Sequence, residues 1–378
     1  MFLIILRLST CEEVCRMGKK TTKVWFTLVT ALLVVVLFAG VTSVSASAVT
    51  TTQSLVKTET FTTNDGKFIV WNPLTGTIQY FDNGKYKGNY TGLQTLLDGQ
   101  TWYIHDGRID PSFTGIVKYD GARWYVSNGT VKKNKNGFVD SNGETYLVEK
   151  GKVSSKSGSY SANKGTYTLS SGRVTGVRFN VPAVNQKPKY PTGCEGAAAT
   201  SLLRFYGYNV SLDEMIRAIP RENITVKNGR RYGPSIYEKF VGDPRGGYTS
   251  RNPGYGAFAP VVTKSMNNVI RNHGGSRTAT NITGSSVNTL YQNLRNGSPQ
   301  IVWATYNMNT PRTVNSWYIN STGKYFSYPR GTHVMVLRGY DANYVYFMDP
   351  YGGSYKTFSR SAFNSKYQLL GQQAILVK

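Results

Sequence analysis

The sequence predicts an α+β domain over residues 176–378, preceded over residues 79–175 by an all-β region of stacked β-hairpins. Two observations support this prediction. Residues 79–175 repeat an aromatic pattern with a period of about 22 residues, as repeat proteins built from one small unit do. After Gly176 the repeat stops, and segments with helical periodicity are followed by segments with strand periodicity, as in one α+β domain.

Five segments of the repeat region can be aligned on a glycine that lies in a turn. Each segment contains a short aromatic strand, a turn and a second short strand, which is typical of a β-hairpin. One hairpin cannot bury its own aromatic face, so we expect the units to stack into a small solenoid or curled sheet. The marker glycines of the five units are Gly84, Gly107, Gly129, Gly151 and Gly172.

These units resemble the aromatic-rich cell-wall and glucan-binding repeats of secreted Gram-positive proteins, and "TGIVKYDGARWYVSNGTV" (114–131) is the closest match. The resemblance implies attachment to a cell-wall polysaccharide. The aromatic residues themselves allow two interpretations. Trp102, Tyr103, Trp124 and Tyr125 either hold sugar rings at the junctions between hairpins or form the stacking core.

The N-terminus predicts export. "MGKKTTK" (17–23) precedes the apolar run 24–40, and Ala46-Ser47-Ala48 follows, as in a secretory signal peptide. The alternative is an uncleaved N-terminal anchor.

Residues 1–16 are interpreted as an upstream extension, so 1–48, with Cys11 and Cys15, would not belong to the working protein. The Thr-rich segment 49–78 is predicted to be a linker or an incomplete first unit.

The formal net charge is +24, from 44 Lys and Arg against 20 Asp and Glu. Such a charge favours polyanions: nucleic acid, anionic membranes or the phosphate-rich polymers of a bacterial wall. With export, a teichoic-type wall polyanion is the expected partner and no nucleic acid is expected. The sequence contains neither a G-x-x-x-x-G-K-[ST] phosphate loop nor a zinc-type Cys/His cluster, so no cofactor or metal is predicted.

Helical periodicity and end signals predict four helices in the second region, and apolar runs predict four strands. The segment 176–186 is predicted to be extended and 187–193 irregular. The helices are expected from Cys194 to Tyr206 and over 211–219, 256–275 and 286–297, and the strands over 299–307, 332–340, 344–349 and 372–378.

After residue 48 the only cysteine is Cys194, at the predicted start of a helix. Unpaired N–H groups and the helix dipole favour the thiolate there, and a nucleophilic thiol also needs a base.

His333 opens a strand of the same domain and is the natural partner, whereas His105 lies in the repeats and His273 ends a helix. Asp349 ends the next strand of a tight hairpin, so it is placed to orient His333. Alone, His333 could be a half-buried strand residue and Asp349-Pro350 a turn.

Five motifs in this order resemble the bacteriocin-processing-peptidase-like domain, a branch of the papain-like cysteine peptidases (family 39-like). They are "NVPAVNQKPKYPTGCEGAAATSLLRFYG", "NPGYGAFAPVV", "GSPQIVWATYN", "GTHVMVLRGYD" and "VYFMDPYGG", and together they cover about 180–378. The resemblance implies a papain-like α+β fold with Cys194 as nucleophile, His333 as base and Asp349 orienting the histidine. It also implies that Gln186, eight residues before Cys194, donates to the oxyanion.

Three functional hypotheses follow. The first is a secreted, wall-associated cysteine peptidase that cleaves a peptide or peptide-like amide. The second is a non-catalytic scaffold that binds cell-wall polysaccharide or glucan. The third is a thiol hydrolase that cuts peptidoglycan cross-links. The intact set of Cys194, His333 and Asp349 favours an enzyme, and the "GCE" and "DPYGG" motifs favour the first hypothesis over the third.

Overall fold

The computed structural model describes residues 60–62, 67–72, 75–95, 99–247 and 250–378. The predicted signal peptide, its alternative as an anchor and the upstream extension lie outside these residues. The Thr-rich segment 49–78 contains Thr60–Thr62, Lys67–Asn72 and the start of Thr77–Asp82, all of which are strands. The described part of this segment consists of strands, as expected for an incomplete first unit.

The repeat region consists of short antiparallel strands. Most units supply a hairpin followed by a two-residue strand, which reaches back to the previous hairpin: Lys152 pairs with Trp124, and Thr130 with Trp102. The strands are β1 (Thr60–Thr62), β2 (Lys67–Asn72), β3 (Thr77–Asp82), β4 (Lys85–Tyr86), β5 (Gly92–Thr95), β6 (Thr101–His105), β7 (Arg108–Ile109), β8 (Gly115–Tyr119), β9 (Ala122–Ser127), β10 (Thr130–Val131), β11 (Gly137–Ser141), β12 (Glu144–Glu149), β13 (Lys152–Val153), β14 (Gly158–Ala162), β15 (Gly165–Ser170) and β16 (Arg173–Phe179).

The marker glycines lie where one unit meets the next. Gly129 has a φ of +71°, a left-handed conformation that favours glycine. Its N–H donates to the Phe113 carbonyl at 2.9 Å, and its carbonyl accepts from the Tyr103 N–H at 2.8 Å. A Cβ on Gly129 would lie 2.6 Å from the Asp110 carbonyl oxygen. Glycine is thus required both by the turn and by the close approach of the preceding unit.

Gly129→Ala should therefore destabilise the repeat stack by more than a turn penalty alone. We expect a loss of about 2–4 kcal/mol in the free energy of unfolding of the repeats, from left-handed strain plus the clash with Asp110. Gly121→Ala is the matched control, because Gly121 has a φ of +68° but nothing within 4 Å of its Cβ position. Denaturant unfolding of both variants measures the difference. Equal losses would contradict the stacking role of Gly129.

Three of the aromatic residues singled out in the repeats pack inside the stack. Tyr103 is buried and stacks on Phe113, with ring centroids 3.9 Å apart. Trp102 and Trp124 are partly buried against two small apolar clusters of the stack. The exposed face of Trp124 carries the Lys152 ammonium, 4.7 Å from the ring centroid. The structure therefore supports the stacking interpretation for these three residues.

The second region contains all of the predicted helices and strands. The observed ends of most helices and strands differ little from the predicted ones. The helix predicted over 256–275 begins at Ala259, with Pro260 in its first turn. The elements are α1 (Cys194–Phe205), α2 (Leu212–Ala218), α3 (Ala259–Asn272), α4 (Val287–Arg295), α5 (Arg360–Leu369), β17 (Arg221–Glu222), β18 (Thr225–Lys227), β19 (Arg230–Gly233), β20 (Phe240–Val241), β21 (Ala279–Asn281), β22 (Gln300–Thr305), β23 (Val314–Ile319), β24 (Tyr325–Pro329), β25 (Thr332–Tyr340), β26 (Tyr344–Asp349), β27 (Ser354–Ser359) and β28 (Ala374–Val377), with a 3₁₀ turn at Tyr306–Met308.

The central sheet of this domain is antiparallel, in the order β21–β28–β22–β25–β26–β27. Helix α1 packs against β25 and β22, and Leu202, Val334 and Phe347 are fully buried in the core. A second sheet, β18–β19–β23–β24, and helix α5 are absent from the sequence prediction. Within the described ranges, no helix is long and apolar enough to span a bilayer.

The repeats and the α+β domain share one sheet. Strand β16 pairs with β15 of the last repeat and with the end of β25, where Val177 lies opposite Tyr340. The Arg295 guanidinium of α4 donates to Thr145 Oγ1 at 3.1 Å and to the Gly143 carbonyl at 2.7 Å. These contacts confirm the predicted order, with stacked hairpins leading into an α+β domain, and they join the two parts without a free linker.

Candidate active site

Cys194 is the first residue of α1 and is 8% exposed. Glycines on both sides let this end of the helix approach its neighbours: a Cβ on Gly193 would lie 2.8 Å from Tyr190 Cβ, and one on Gly196 would clash with Ile216 of α2. The sequence "GCEG" thus seats the thiol tightly at the helix N-terminus.

His333 and Asp349 form a buried pair. His333 Nε2 lies 2.6 Å from Asp349 Oδ1, and the two residues are 4% and 2% exposed. Asp349 Oδ1 also accepts the Tyr351 N–H at 2.8 Å, which fixes the carboxylate. They lie near the ends of adjacent strands, β25 and β26. The structure therefore brings together the two residues that the hairpin was predicted to pair.

Gln186 lies near Asp349 and is 2% exposed. Its Nε2 donates to the Pro191 carbonyl at 2.8 Å, and its backbone N–H donates to the Pro350 carbonyl at 3.0 Å. These two bonds tie it to the loop before Cys194 and to the turn after Asp349. An amide nitrogen carries two hydrogens, so Nε2 keeps one for another acceptor.

Cys194, His333 and Gln186 line one cleft of about 200 Å³. Asp349 lies behind His333. The rings of Tyr306 and Tyr351 meet the imidazole nearly edge-on, with centroids 5.6 and 6.5 Å from that of His333. The remaining residues of the cleft are Pro191, Thr192, Glu195, Gly254, Tyr255, Gly256, Gly331 and Thr332.

Burial raises the pKa of Cys194 well above its ordinary value, and the Glu195 carboxyl raises it further. A backbone hydrogen bond from Val334, the residue after His333, has the opposite effect. Burial therefore opposes the thiolate that the helix N-terminus was expected to favour at Cys194. A helix dipole contributes about 0.3–1 kcal/mol to a nearby anion, less than the cost of burying an unpaired charge.

Glu195 is the site residue to which sequence analysis assigned no role. It is 3% exposed, and its Oε2 accepts the Cys194 thiol at 3.4 Å. Its Oε1 accepts the Ala257 N–H at 2.8 Å, and burial raises the pKa of the carboxyl itself. A Cβ on Gly256 would lie 2.6 Å from Oε1, so only glycine leaves room for the carboxyl. Two sequence features could have indicated this placement of Glu195: the "GCE" triplet and the glycine-rich segment "NPGYGAF".

Glu195→Gln should lower the pKa of Cys194. The amide keeps an oxygen for the Ala257 N–H but removes the negative charge that holds the proton on sulfur. The pH profile of Cys194 alkylation should therefore shift to lower pH, with faster alkylation at pH 7. Iodoacetamide labelling followed by mass spectrometry measures the profile. Asp120→Asn, in an exposed turn of the repeats, is the control and should leave it unchanged; an unchanged or raised midpoint in Glu195→Gln would refute the assigned effect.

The other two histidines lie elsewhere. His105 is exposed in the repeats, and His273 caps the end of α3, where its Nε2 lies 2.8 Å from Glu214 Oε1. In the part of the chain that the structure describes, no cluster of three or more His, Cys, Asp or Glu side chains is arranged to hold a metal ion.

Comparisons with known proteins agree with both halves of this architecture. The Choline-binding repeat model matches residues 89–110, 112–132 and 134–154. A crystal structure of choline binding protein F from Streptococcus pneumoniae is 21% identical, covering 32% of this chain and 36% of that one, with a TM-score of 0.18. Residues 89–154 are therefore similar in sequence to choline-binding repeats, in agreement with the predicted resemblance to wall-binding repeats.

The α+β domain has relatives of its own. The chain is 26% identical over 191 residues to the uncharacterized protein YvpB of Bacillus subtilis (strain 168), covering 50% of this chain and 71% of YvpB. A crystal structure from Bacillus anthracis described as a C39-like peptidase is 25% identical, covers 53% of this chain and 94% of that one, and has a TM-score of 0.46. The Peptidase C39 like family model matches residues 178–375, more than half of the chain. The chain belongs to the Peptidase C39 like family.

Proposed function

We propose that this protein is a cysteine peptidase that acts at the Gram-positive cell wall. The proposal rests chiefly on one observation: His333, which is hydrogen-bonded to the buried Asp349, lines the same cleft as the helix-start thiol of Cys194. Family membership supports the peptidase part, and the choline-binding repeats support binding to choline-containing wall polymers.

The first step of the proposed reaction is proton transfer and attack. Asp349 accepts the proton on His333 Nε2, so Nδ1 is the nitrogen left to act as base. Since burial disfavours a free thiolate at Cys194, His333 removes the thiol proton as sulfur attacks the amide carbon of the substrate. A C–S bond forms, and the carbonyl oxygen becomes an oxyanion. The Cys194 N–H and the second hydrogen of Gln186 Nε2 stabilise it.

The second half returns the enzyme to its resting state. The imidazolium of His333 donates its proton to the departing amine, the C–N bond breaks, and a thioester remains on Cys194. His333 then takes a proton from water, which attacks the thioester. The C–S bond breaks, the new carboxylic acid leaves, and the imidazolium returns its proton to the sulfur. Glu195 accepts the thiol at rest, so it opposes ionisation before substrate enters and limits unwanted oxidation or alkylation.

The choline-binding repeats have a separate proposed role, which is non-covalent attachment. A protein exported by the signal predicted within residues 17–48 would meet wall polymers outside the cell, where the repeats keep the cleft near its substrate. Export has its own experiment. N-terminal sequencing of protein recovered from culture medium and from walls would test it, with mature chains expected to begin near residue 47 or 49.

The chemical proposal is tested with two substrates offered separately. The purified chain is incubated with Gram-positive cell walls and with a diverse peptide library, and new amine termini are identified by mass spectrometry. Cleavage of library peptides that is absent in Cys194→Ala supports the peptidase. Cleavage of walls alone would make the protein a peptidoglycan hydrolase. No new termini in either substrate, with Cys194 still open to alkylation, would favour the non-catalytic scaffold.

A further inference from the structure

The sheet β18–β19–β23–β24 has one face against the domain and one face toward solvent. On the inner face Trp317 is 1% exposed and donates from Nε1 to the Pro234 carbonyl at 2.9 Å. Tyr328, also on this face, donates to the carbonyl of Tyr255, a residue that lines the cleft. Side chains alternate along a strand, so the strand neighbours of Trp317 and Tyr328 point toward solvent. The sheet that carries them supports the wall of the cleft.

Three tyrosines form a row across the outer face. Tyr232 of β19 lies opposite Tyr318 of β23, and Tyr318 lies opposite Tyr325 of β24. Their ring centroids are 5.5 and 5.3 Å apart. Tyr325 is 62% exposed, which is unusual for a large aromatic side chain. We call Tyr232, Tyr318 and Tyr325 the tyrosine row.

Positive charge adjoins the tyrosine row without a counter-charge. Lys227 and Arg230 are exposed and lie directly opposite each other across the turn Asn228-Gly229, and like charges in this position are unfavourable. The Arg230 guanidinium lies 5.7 Å from the Tyr318 ring centroid. Residues 225–233 and 314–329 contain no Asp or Glu. None of the ion pairs found among the described residues includes Lys227 or Arg230.

We propose that the tyrosine row, with Lys227 and Arg230, binds an anionic glycan of the cell wall. Sugar rings stack on the tyrosine faces, and phosphate or carboxylate groups of the same polymer neutralise the two opposed cations. Basic sheets with exposed aromatic residues also bind single-stranded nucleic acid. The choline-binding repeats favour the glycan, because they hold the chain beside a wall polymer. This second contact is made by the domain that holds the cleft and does not depend on the chemistry of Cys194.

The test measures wall binding with the repeats competed out. The full chain carrying Cys194→Ala, which leaves the wall uncut, is sedimented with Gram-positive walls in excess free choline. Tyr325→Ala and the double change Lys227→Gln with Arg230→Gln should each weaken binding by about fivefold or more, since each removes stacking or charge-assisted contacts. Binding should also fall with salt. The matched controls are Tyr344→Ala, whose side chain is 48% exposed, and Lys356→Gln, both on other strands; they should stay within about twofold.

Two outcomes would overturn the proposal. One is that the tyrosine-row and charge variants bind walls as tightly as the controls while unfolding at the same temperature. The other is that a single-stranded RNA oligonucleotide binds more tightly than the walls and loses affinity in the same variants, which would make the face a nucleic-acid site. Because every protein in the experiment lacks the thiol, failure of the proposed peptidase activity leaves this result unaffected.

Discussion

Cys194→Ala and His333→Ala should each remove nearly all peptide cleavage, a loss of about 10⁴-fold or more in kcat/KM, because nucleophile and base act as one unit. The double variant should be little worse than either single one for the same reason. Cleavage of a peptide found in the library experiment supplies the assay. His333→Ala should also slow alkylation of Cys194 near neutral pH, since the thiol with a raised pKa then has no imidazole to take up its proton as the sulfur reacts.

The control for this experiment is His273→Ala. His273 lies in the same domain but pairs with Glu214 at the end of α3, so its loss should change activity by less than about twofold. Additive losses in Cys194→Ala and His333→Ala would contradict a shared step. If cleavage survives in Cys194→Ala, the active nucleophile lies elsewhere and the cleft loses its proposed role.

Sequence patterns identified the thiol, the histidine and the aspartate because each is tied to local structure. A helix start is visible at Cys194, and a tight hairpin brings the strands of His333 and Asp349 together whatever surrounds them. The ionisation of the thiol could not be predicted in this way. It depends on the burial of Cys194 and on Glu195, whose carboxyl is fixed by the N–H of Ala257, a residue 62 positions along the chain. No local pattern encodes that contact.

The second sheet illustrates a different limit. The turn Asn228-Gly229 is a recognised hairpin signal, and β18–β19 could have been predicted from it. The partner strand β23 joins β19 in parallel from more than 80 residues away, and long-range parallel pairing leaves no local trace. Helix α5 was detectable, since Ser359 caps it by accepting the Ala362 N–H. Its buried Phe363 and Tyr367 have the spacing of a helical face.

The junction between the two regions bears on how they would work together. Strand β16 continues from the last hairpin into the sheet and pairs with β25, the strand that carries His333. Arg295 adds hydrogen bonds across the same junction. Attachment of the repeats to a wall polymer would therefore fix the direction in which the cleft faces, whereas a flexible linker would leave it free to rotate. Substrates would then be limited to those presented at one distance and angle from the wall.

Gln186→Ala should lower kcat by about 10²–10³-fold, the usual effect of losing one oxyanion donor. The amide is held in place: Nε2 donates to the Pro191 carbonyl at 2.8 Å, and the side chain borders the cleft with Cys194. Because this contact is made to the transition state, KM should change little. The pH profile of Cys194 alkylation should also stay as in the wild type, since alkylation by iodoacetamide forms no oxyanion. Gln368→Ala, at an exposed position of α5, is the matched control. A variant that keeps kcat within about twofold, with unchanged thermal unfolding, would leave the Cys194 N–H as the sole donor and exclude Gln186 from catalysis.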